Sequence, residues 1–152
     1  MVEEVSYYKS PFGWWQIESN GREIVRLVKV VDMEYLINDD STVVIELKRQ
    51  LDEYFVGSRK SFDIALNPQG TEFQKLVWNT LLKIPYGARV SYKEVAIIVG
   101  KPKACRAVGM ANNKNPIAIL IPCHRVIGAK GELVGYNGGV EVKKKLLELE
   151  NE

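Results

Sequence analysis

A cysteine and a histidine stand side by side directly after a short apolar segment. Cys123 and His124, the single histidine of the chain, follow Pro122, and four of the five residues in 117–121 are bulky and branched. Such a run predicts a buried strand or extended segment, and proline ends it because proline supplies no N–H to a β-ladder. A sulfur nucleophile on such a turn is held rigidly and can still be reached by a substrate.

The residues beside Cys123 favour a reactive thiol over a structural one. A cysteine next to an apolar run is commonly an inert core residue, and a lone histidine is commonly a structural one. A thiol with a lowered pKa needs positive charge or a proton acceptor nearby, and His124 and Arg125 are residues of these types. We predict no metal site, because Cys105, Cys123 and His124 lack the four ligands and the paired spacing that zinc needs.

The composition is that of a soluble globular protein. The 152 residues are 46% hydrophobic and 26% charged, and no apolar run approaches the length of a membrane span. The N-terminus lacks the basic and apolar regions of a secretory signal, and two cysteines make no disulfide framework. We therefore expect a cytoplasmic protein with one ordinary core or two small ones.

Charge is distributed unevenly along the chain. Residues 1–70 carry 8 Lys and Arg against 12 Asp and Glu, whereas residues 71–152 carry 13 against 7. A basic half of this kind fits a polyanionic partner. Charge alone fits a solvated charged surface equally well.

The first part of the chain predicts a small antiparallel sheet and a helix. The predicted strands are 5–9, 14–18 and 23–31. Asn20-Gly21 is a strong hairpin signal, because both turn positions need a positive φ. Apolar residues then recur at helical spacing after a cap at Asp40 or Ser41, and this helix is predicted to end at Gly57. We interpret residues 1–57 as an N-terminal α/β scaffold domain.

The remainder predicts a linker and a mostly helical domain, which makes the fold class α+β. Residues 58–70 have the mixed charges and the Pro and Gly content of a linker. The C-terminal domain, 71–152, begins with a helix capped by Thr71 and ends with a helix over 140–150. Several glycines crowd into 128–139, a density that indicates tight turns or close approach of the backbone to a ligand.

A helix-turn-helix is predicted in the middle of the C-terminal domain. Ser91 and Glu94 fit a capping box, and the helix they open ends at Gly100. Pro102 suits the first position of a second helix running from Lys103 to about residue 112. That helix alternates long polar side chains with small ones, a pattern suited to phosphates and base edges. Helix pairs are common, so spacing alone does not establish DNA binding.

The pentapeptide Pro122-Cys-His-Arg-Val126 resembles the active-site motif of the O6-alkylguanine-DNA alkyltransferases. These suicide repair proteins take an alkyl group from DNA onto their own cysteine. The resemblance runs from about Gly70 to Glu150 and includes several motifs in the order of the family. It implies a DNA repair methyltransferase that flips O6-alkylguanine out of duplex DNA and transfers the alkyl group irreversibly to Cys123. It also implies a monomer that needs no cofactor. Some relatives bind zinc in the N-terminal part, but residues 1–70 contain no Cys or His, so we expect no metal there.

The resemblance assigns a role to each of the candidate site residues. The catalytic set is Cys123 as the acceptor, His124 as its relay, Glu150 orienting the histidine and Asn115 holding the turn. The set that binds substrate and DNA is Tyr92 against the flipped base, Arg106 as the finger entering the duplex, Arg125, Val126, and the loop residues Tyr136, Asn137 and Gly138. A glutamate–histidine–cysteine chain is expected to lower the thiol pKa.

Two other functions are considered beside repair. A binding protein of the same fold would flag alkylated bases without transfer, but such relatives lack the acceptor cysteine, and Cys123 is present. A thiol redox enzyme or a cysteine hydrolase would need a resolving cysteine or an oxyanion site, and the sequence indicates neither.

Overall fold

The computed structural model of the chain describes residues 2–33, 40–136 and 138–152, and it begins with a three-stranded antiparallel sheet. The strands β1 (Glu4–Ser10), β2 (Gly13–Ser19) and β3 (Ile24–Lys29) lie in sequence order. Along β2, Trp15, Ile17 and Ser19 are buried while the residues between them are half-buried, as the period of a strand requires. The predicted sheet is therefore confirmed, although β3 is shorter than predicted.

Helix α1 (Thr42–Phe55) covers the sheet with an apolar face that includes Val44, Leu47 and Leu51. Ser41 is its N-cap residue, but the Ser41 hydroxyl bonds the Glu4 carboxylate of β1 and not the helix backbone. The helix ends before Gly57, whose φ of +82° suits glycine after a helix. The predicted helix is confirmed, and its cap ties it to the sheet.

The C-terminal part is mostly helical. In chain order its elements are α2 (Glu72–Leu81), β4 (Val90–Ser91), α3 (Tyr92–Ile98), α4 (Cys105–Asn113), a 3₁₀ turn (Cys123–Arg125), β5 (Val126–Ile127) and α5 (Val140–Glu150). Strands β4 and β5 pair in parallel, with Val90 opposite Val126. This pairing fixes the chain directly after the 3₁₀ turn against the start of α3.

Helices α2 and α3 begin at the residues that their sequence signals indicate, whereas α4 does not. Thr71 and Ser91 each form a capping box with the residue three positions on, Gln74 and Glu94, so the prediction at Ser91 is confirmed. The predicted start of the second helix at Pro102 and Lys103 is wrong, because α4 begins at Cys105. Residues 101–104 form a turn closed by a hydrogen bond from Ala104 N to Lys101 O of 2.9 Å, and proline suits the second position of such a turn.

The prediction of a strand or extended segment over 117–121 is also wrong. The segment is largely buried, but only Ile117 makes a bridge, to Leu27 of β3, and a turn follows. Ile121 N donates to Ile117 O at 3.1 Å, and Ile119 has a φ of +70°. A β-branched residue in that region is strained. The apolar run reflects burial of a tight turn, since burial alone does not distinguish a turn from a strand.

Strand β3 connects the sheet to the segment that precedes the 3₁₀ turn. Leu27 N donates to Pro116 O at 2.8 Å and Ala118 N donates to Leu27 O at 2.9 Å. Buried residues of the sheet, of α1 and of the C-terminal helices belong to one hydrophobic cluster, which includes Trp15, Leu51 and Val108. Within the described residues, no helix combines the length and the hydropathy that crossing a membrane requires.

Candidate active site

Cys123 is the first residue of the 3₁₀ turn and is almost completely buried, with 4% of its surface exposed. Its carbonyl oxygen accepts a hydrogen bond of 3.3 Å from Asn112 Nδ2 of α4. Its N–H donates to Ile121 O at 2.7 Å. The backbone on both sides of the sulfur is therefore held, and α4 takes part directly.

Asn115 braces the turn that leads to Cys123. Its Nδ2 donates to Ile121 O at 2.7 Å, and its Oδ1 accepts from Ile117 N at 3.0 Å. One buried side chain thus closes the strained loop between those residues. Asn115 is the residue to which the resemblance assigned the holding of this turn.

Glu150, near the end of α5, accepts hydrogen bonds from three side chains of the interior. His124 Nε2 and the Tyr54 hydroxyl each lie 2.6 Å from Glu150 Oε2. Arg125 spans both oxygens, with Nε 2.8 Å from Oε1 and Nη2 3.0 Å from Oε2. Gly87 N adds a longer contact of 3.3 Å to Oε1. The structure therefore brings the predicted pair His124 and Glu150 into direct contact.

These contacts decide which groups of the cluster carry charge. Burial by itself would raise the pKa of Glu150, but hydrogen bonds from His124, Arg125 and Tyr54 hold that pKa far below its ordinary value. Burial lowers the pKa of His124 more than Glu150 raises it. An ionised Glu150 beside a neutral imidazole places the ring proton on Nε2. Nδ1 is then a free proton acceptor, and it is buried without a hydrogen-bond partner among the described residues.

The Cys123 thiol does not have the lowered pKa that its neighbours predicted. Burial raises its pKa to about 11, and the opposing influence of Asn115 and Lys143 is smaller. The thiol is therefore protonated at neutral pH in the DNA-free protein. The polar residues next to Cys123 are visible in the sequence, but how completely folding removes the sulfur from water is not.

Lys143 is a member of this cluster that the sequence analysis did not single out. Its side chain is fully buried, and Nζ donates to Val126 O at 2.5 Å and to Val134 O at 2.9 Å. Burial lowers its pKa to about 8. A signal was available, because positions 143, 146, 147 and 150 share one face of α5 and the others are Leu, Leu and Glu.

Tyr92 and Arg106 line an open groove of about 580 Å³ on the surface of α3 and α4, together with Met110 and Val134. Arg106 and Met110 are exposed one helical turn apart on α4. The Tyr92 ring is half-buried, and its hydroxyl donates to Val134 O at 2.8 Å. The lining is mainly apolar, with Arg106 and Asn113 as polar members, and Met110 is not among the residues predicted from the sequence.

Tyr136 and Gly138 close over the sulfur. With Cys123, Asn115 and Ala118 they line a small cavity of about 20 Å³. A Cβ atom at Gly138 would approach the Tyr136 ring to 2.8 Å, so only glycine fits there without a shift. The predicted loop residue Asn137 lies outside the described residues.

Arg125 and Val126 lie in the interior and not on a DNA-facing surface. Arg125 is 6% exposed, and its guanidinium donates to Glu150 through Nε and Nη2 and to Ile84 O through Nη1, the last at 2.7 Å. Val126 is completely buried in β5. We therefore replace the predicted DNA contact of Arg125 with a role in holding Glu150, because reaching DNA would leave a buried carboxylate without its main partner.

The structure is therefore an α+β fold in which a buried cysteine lies behind the surface of the helix-turn-helix. Two family models match it: the DNA binding domain of 6-O-methylguanine DNA methyltransferase over residues 72–152, and the ribonuclease-like domain of the same protein over residues 5–68. The chain belongs to the 6-O-methylguanine DNA methyltransferase family.

Individual relatives agree with the family models. The chain is 61% identical over 105 residues to methylated-DNA–protein-cysteine methyltransferase of Methanosarcina acetivorans, a match covering 69% of this chain and 67% of the relative. It is 48% identical over 146 residues to the Mycobacterium leprae protein of that name, covering 93% and 88%. The crystal structure of Mycobacterium tuberculosis O6-methylguanine methyltransferase superposes with a TM-score of 0.86 at 43% identity, covering 97% of this chain and 93% of that one.

A structure with nucleic acid is also similar. Mycobacterium tuberculosis OGT in complex with DNA matches with a TM-score of 0.85 at 44% identity, covering 95% of this chain and 91% of that chain. The similarity therefore extends to a member of the fold that has been seen with DNA bound.

Proposed function

We propose that this protein repairs duplex DNA by moving the alkyl group of O6-alkylguanine onto the sulfur of Cys123, once per molecule. The proposal rests on the arrangement of three residues. Buried Cys123 is followed by His124, which is hydrogen-bonded to Glu150, and this cluster lies behind the α4 surface that bears Arg106. Identity of 48–61% to proteins named methylated-DNA–protein-cysteine methyltransferase supports transfer over lesion binding alone.

Access to DNA is the first step. Arg106 is exposed on α4, and the neighbouring Ala107 and Gly109 leave little bulk between the helix and an approaching surface. A helix of this kind can lie in a minor groove with one side chain entering the base stack. Extruding a base costs a few kcal/mol, and Arg106 would offset part of that cost by filling the space.

The flipped base must then reach a sulfur that is closed off. A cavity of about 20 Å³ beside Cys123 cannot hold a purine, so Tyr136 and Gly138 have to move away as the base enters. The half-buried ring of Tyr92 lines the α4 groove and interacts electrostatically with Cys123, so it can contact the base.

The transfer itself needs a proton acceptor for the thiol. His124 Nδ1 is the unoccupied acceptor of the cluster and would take the proton directly or through a water. The thiolate attacks the alkyl carbon, the new C–S bond forms, and the bond from that carbon to guanine O6 breaks with its electrons staying on oxygen. His124 then gives the proton that it took from the thiol to the departing guanine. Cys123 is left as a neutral thioether that no neighbouring group can reverse.

Glu150 and Lys143 support this step electrostatically. The Glu150 carboxylate stabilises the imidazolium that forms on His124, as in other activated nucleophiles. The Lys143 ammonium lowers the pKa of the Cys123 thiol. A thiol of high pKa yields a strong nucleophile once deprotonated, so a high resting pKa is compatible with the reaction.

Stoichiometry tests the proposal. With an excess of duplex DNA containing O6-methylguanine, we expect conversion of lesion to guanine to stop at one equivalent of protein. The variant Cys123→Ser should bind the same duplex, because the α4 contacts are retained, and convert none. Continued turnover beyond one equivalent, or full conversion by Cys123→Ser, would contradict the proposal; tight binding without any conversion would establish lesion binding instead.

A further inference from the structure

Tyr54 reaches the catalytic cluster from the N-terminal part of the chain. It lies in α1 and is completely buried, and its hydroxyl donates to Glu150 Oε2 at 2.6 Å across a sequence separation of 96 residues. Oε2 is also the oxygen that accepts the His124 bond of equal length. The N-terminal part therefore contacts the group that orients the histidine.

Aromatic neighbours hold the Tyr54 ring in place independently of the hydrogen bond that its hydroxyl makes. The ring makes edge-to-face contacts with Phe55 and Tyr86, with centroids 5.2 and 6.2 Å away and rings nearly perpendicular. Phe62 lies 5.4 Å away in a tilted contact. A ring enclosed in this way holds its hydroxyl in one place, so the bond to Oε2 requires little further ordering.

We propose that Tyr54 is a positioning residue of the reaction, which fixes Glu150 Oε2 and reduces the negative charge it presents to His124. This rests on the proposed function, in which His124 accepts the Cys123 proton. A neutral donor that shares an oxygen with an imidazolium draws charge toward itself and weakens that ion pair. Tyr54 would then set how basic His124 is.

Several titratable and charged groups surround the His124–Glu150 pair. Among the described residues they are Arg125 of the 3₁₀ turn beside Cys123, Lys143 of α5, and the tyrosines Tyr54, Tyr86 and Tyr136. Burial, Arg125 and Lys143 lower the pKa of His124, whereas Glu150 raises it. Burial and the nearby carboxylate raise the pKa of Tyr54 strongly, so its hydroxyl remains a donor throughout the working pH range.

Removing the hydroxyl has a defined direction of effect. In Tyr54→Phe the ring contacts remain, Oε2 regains charge, and the imidazolium of His124 becomes more stable. The pKa of His124 should rise, with its affinity for a proton increasing about threefold, because the carboxylate beside it no longer shares Oε2 with a neutral donor. The acid limb of the pH–rate profile should move up by the same amount, and the plateau rate should rise about threefold, because His124 is then the better base.

Two measurements on the full chain test this. His124 is the single histidine, so its imidazole C–H resonance needs no assignment and its pKa can be followed by NMR in protein without added DNA. The pH dependence of single-turnover repair is measured on the same samples. Tyr8→Phe is the matched control, because the Tyr8 hydroxyl also bonds a carboxylate, Asp52 at 2.7 Å, away from the site.

The expected result is an upward shift in both readouts for Tyr54→Phe and none for Tyr8→Phe. An unchanged or lowered His124 pKa in Tyr54→Phe, with or without a loss of thermal stability, overturns the proposal and leaves Tyr54 a structural residue. The two proposals fail separately, because the NMR titration does not depend on repair: a wild-type protein that repairs nothing would refute the function and leave the titration result standing.

Discussion

The sulfur of Cys123 combines burial with a high pKa, and both properties limit its reactivity before substrate arrives. A thiolate is the form that oxidants and alkylating agents attack. Keeping the proton on sulfur in the DNA-free protein would therefore protect a residue that, under the proposed function, is used once. In that proposal His124 and Glu150 generate the reactivity when the base arrives.

Glu150 should contribute strongly to stability as well as to chemistry. In Glu150→Gln, the buried guanidinium of Arg125 loses its ionic partner, and breaking a buried pair in this way costs about 3–5 kcal/mol. We expect a loss of this order in urea unfolding at pH 7, together with slower alkyl transfer. Glu148→Gln is the control, because Glu148 is exposed on the same helix, and it should stay within about 0.5 kcal/mol of wild type.

The difference in unfolding free energy between wild type and Glu150→Gln should depend on pH, and its direction follows from the lowered pKa of Glu150. Its pKa is lower in the folded protein than the ordinary value of 4.5. The stabilisation is therefore fully present above about pH 5 and is lost as the pH falls below 4.5. Unfolding curves of wild type and Glu150→Gln should converge in acid; a gap that stays constant from pH 7 to pH 3 would show that ionisation of Glu150 contributes nothing.

At the scale of elements, α4 serves both the surface and the interior. Arg106 projects from its exposed side, while Asn112 on its buried side holds the Cys123 carbonyl. A helix with both contacts places the DNA surface and the sulfur in a fixed relation. Movement of α4 on DNA would be transmitted to Cys123 through the Asn112 hydrogen bond.

Arg106→Ala should separate base extrusion from chemistry. We expect repair of duplex DNA at saturating concentration to slow about tenfold or more, since 1.4 kcal/mol of lost compensation corresponds to a factor of ten. Reaction with free O6-benzylguanine should change little, because a free base needs no extrusion.

Lys114→Ala provides the comparison for this prediction. Lys114 is an exposed cation at the end of α4, so its loss should weaken DNA binding in a salt-dependent way and leave the saturated rate unchanged. Equal losses of rate on duplex and free base in Arg106→Ala would show that Arg106 does not act in extrusion.

The elements with local signals were predictable, and those set by distant contacts were not. Ser91 and Glu94 lie three residues apart, so their capping box is visible in the sequence and present in the structure. The turn over 117–121 was mistaken for a strand, because its shape depends on Asn115 and on pairing with Leu27. No local signal marks the contact of Tyr54 with Glu150, because the two residues lie 96 positions apart.

At the scale of the whole molecule, the sheet, α1 and the C-terminal helices share one hydrophobic cluster that includes Cys123. The N-terminal part was interpreted as a scaffold, yet it supplies Leu27 to the turn before Cys123 and Tyr54 to Glu150. The division into domains at 1–57 and 71–152 with a linker between them stays a proposal. Because both parts of the chain contact the active site, strain there can spread to both.

Alkylation of Cys123 should destabilise the protein. The cavity of about 20 Å³ beside the sulfur leaves little room for an added group, and overpacking costs about 1–3 kcal/mol. For a chain of this length we expect the melting temperature to fall by about 2–12 °C on methylation, and further on benzylation unless Ala118 leaves enough space. The test is thermal unfolding of free, methylated and benzylated protein in one buffer, with Cys123→Ser exposed to the same reagents as control. Identical melting of all three forms would show a roomy pocket.

The central claim is that Cys123 is the alkyl acceptor, and mass spectrometry tests it most directly. Intact protein is measured before and after incubation with duplex DNA containing O6-methylguanine, and the adduct is then located by peptide mapping. We expect one methyl group per molecule, carried by the peptide containing Cys123 and absent from that containing Cys105, the other free cysteine. No change of mass while the duplex is bound, or a methyl group on Cys105 in place of Cys123, would contradict it.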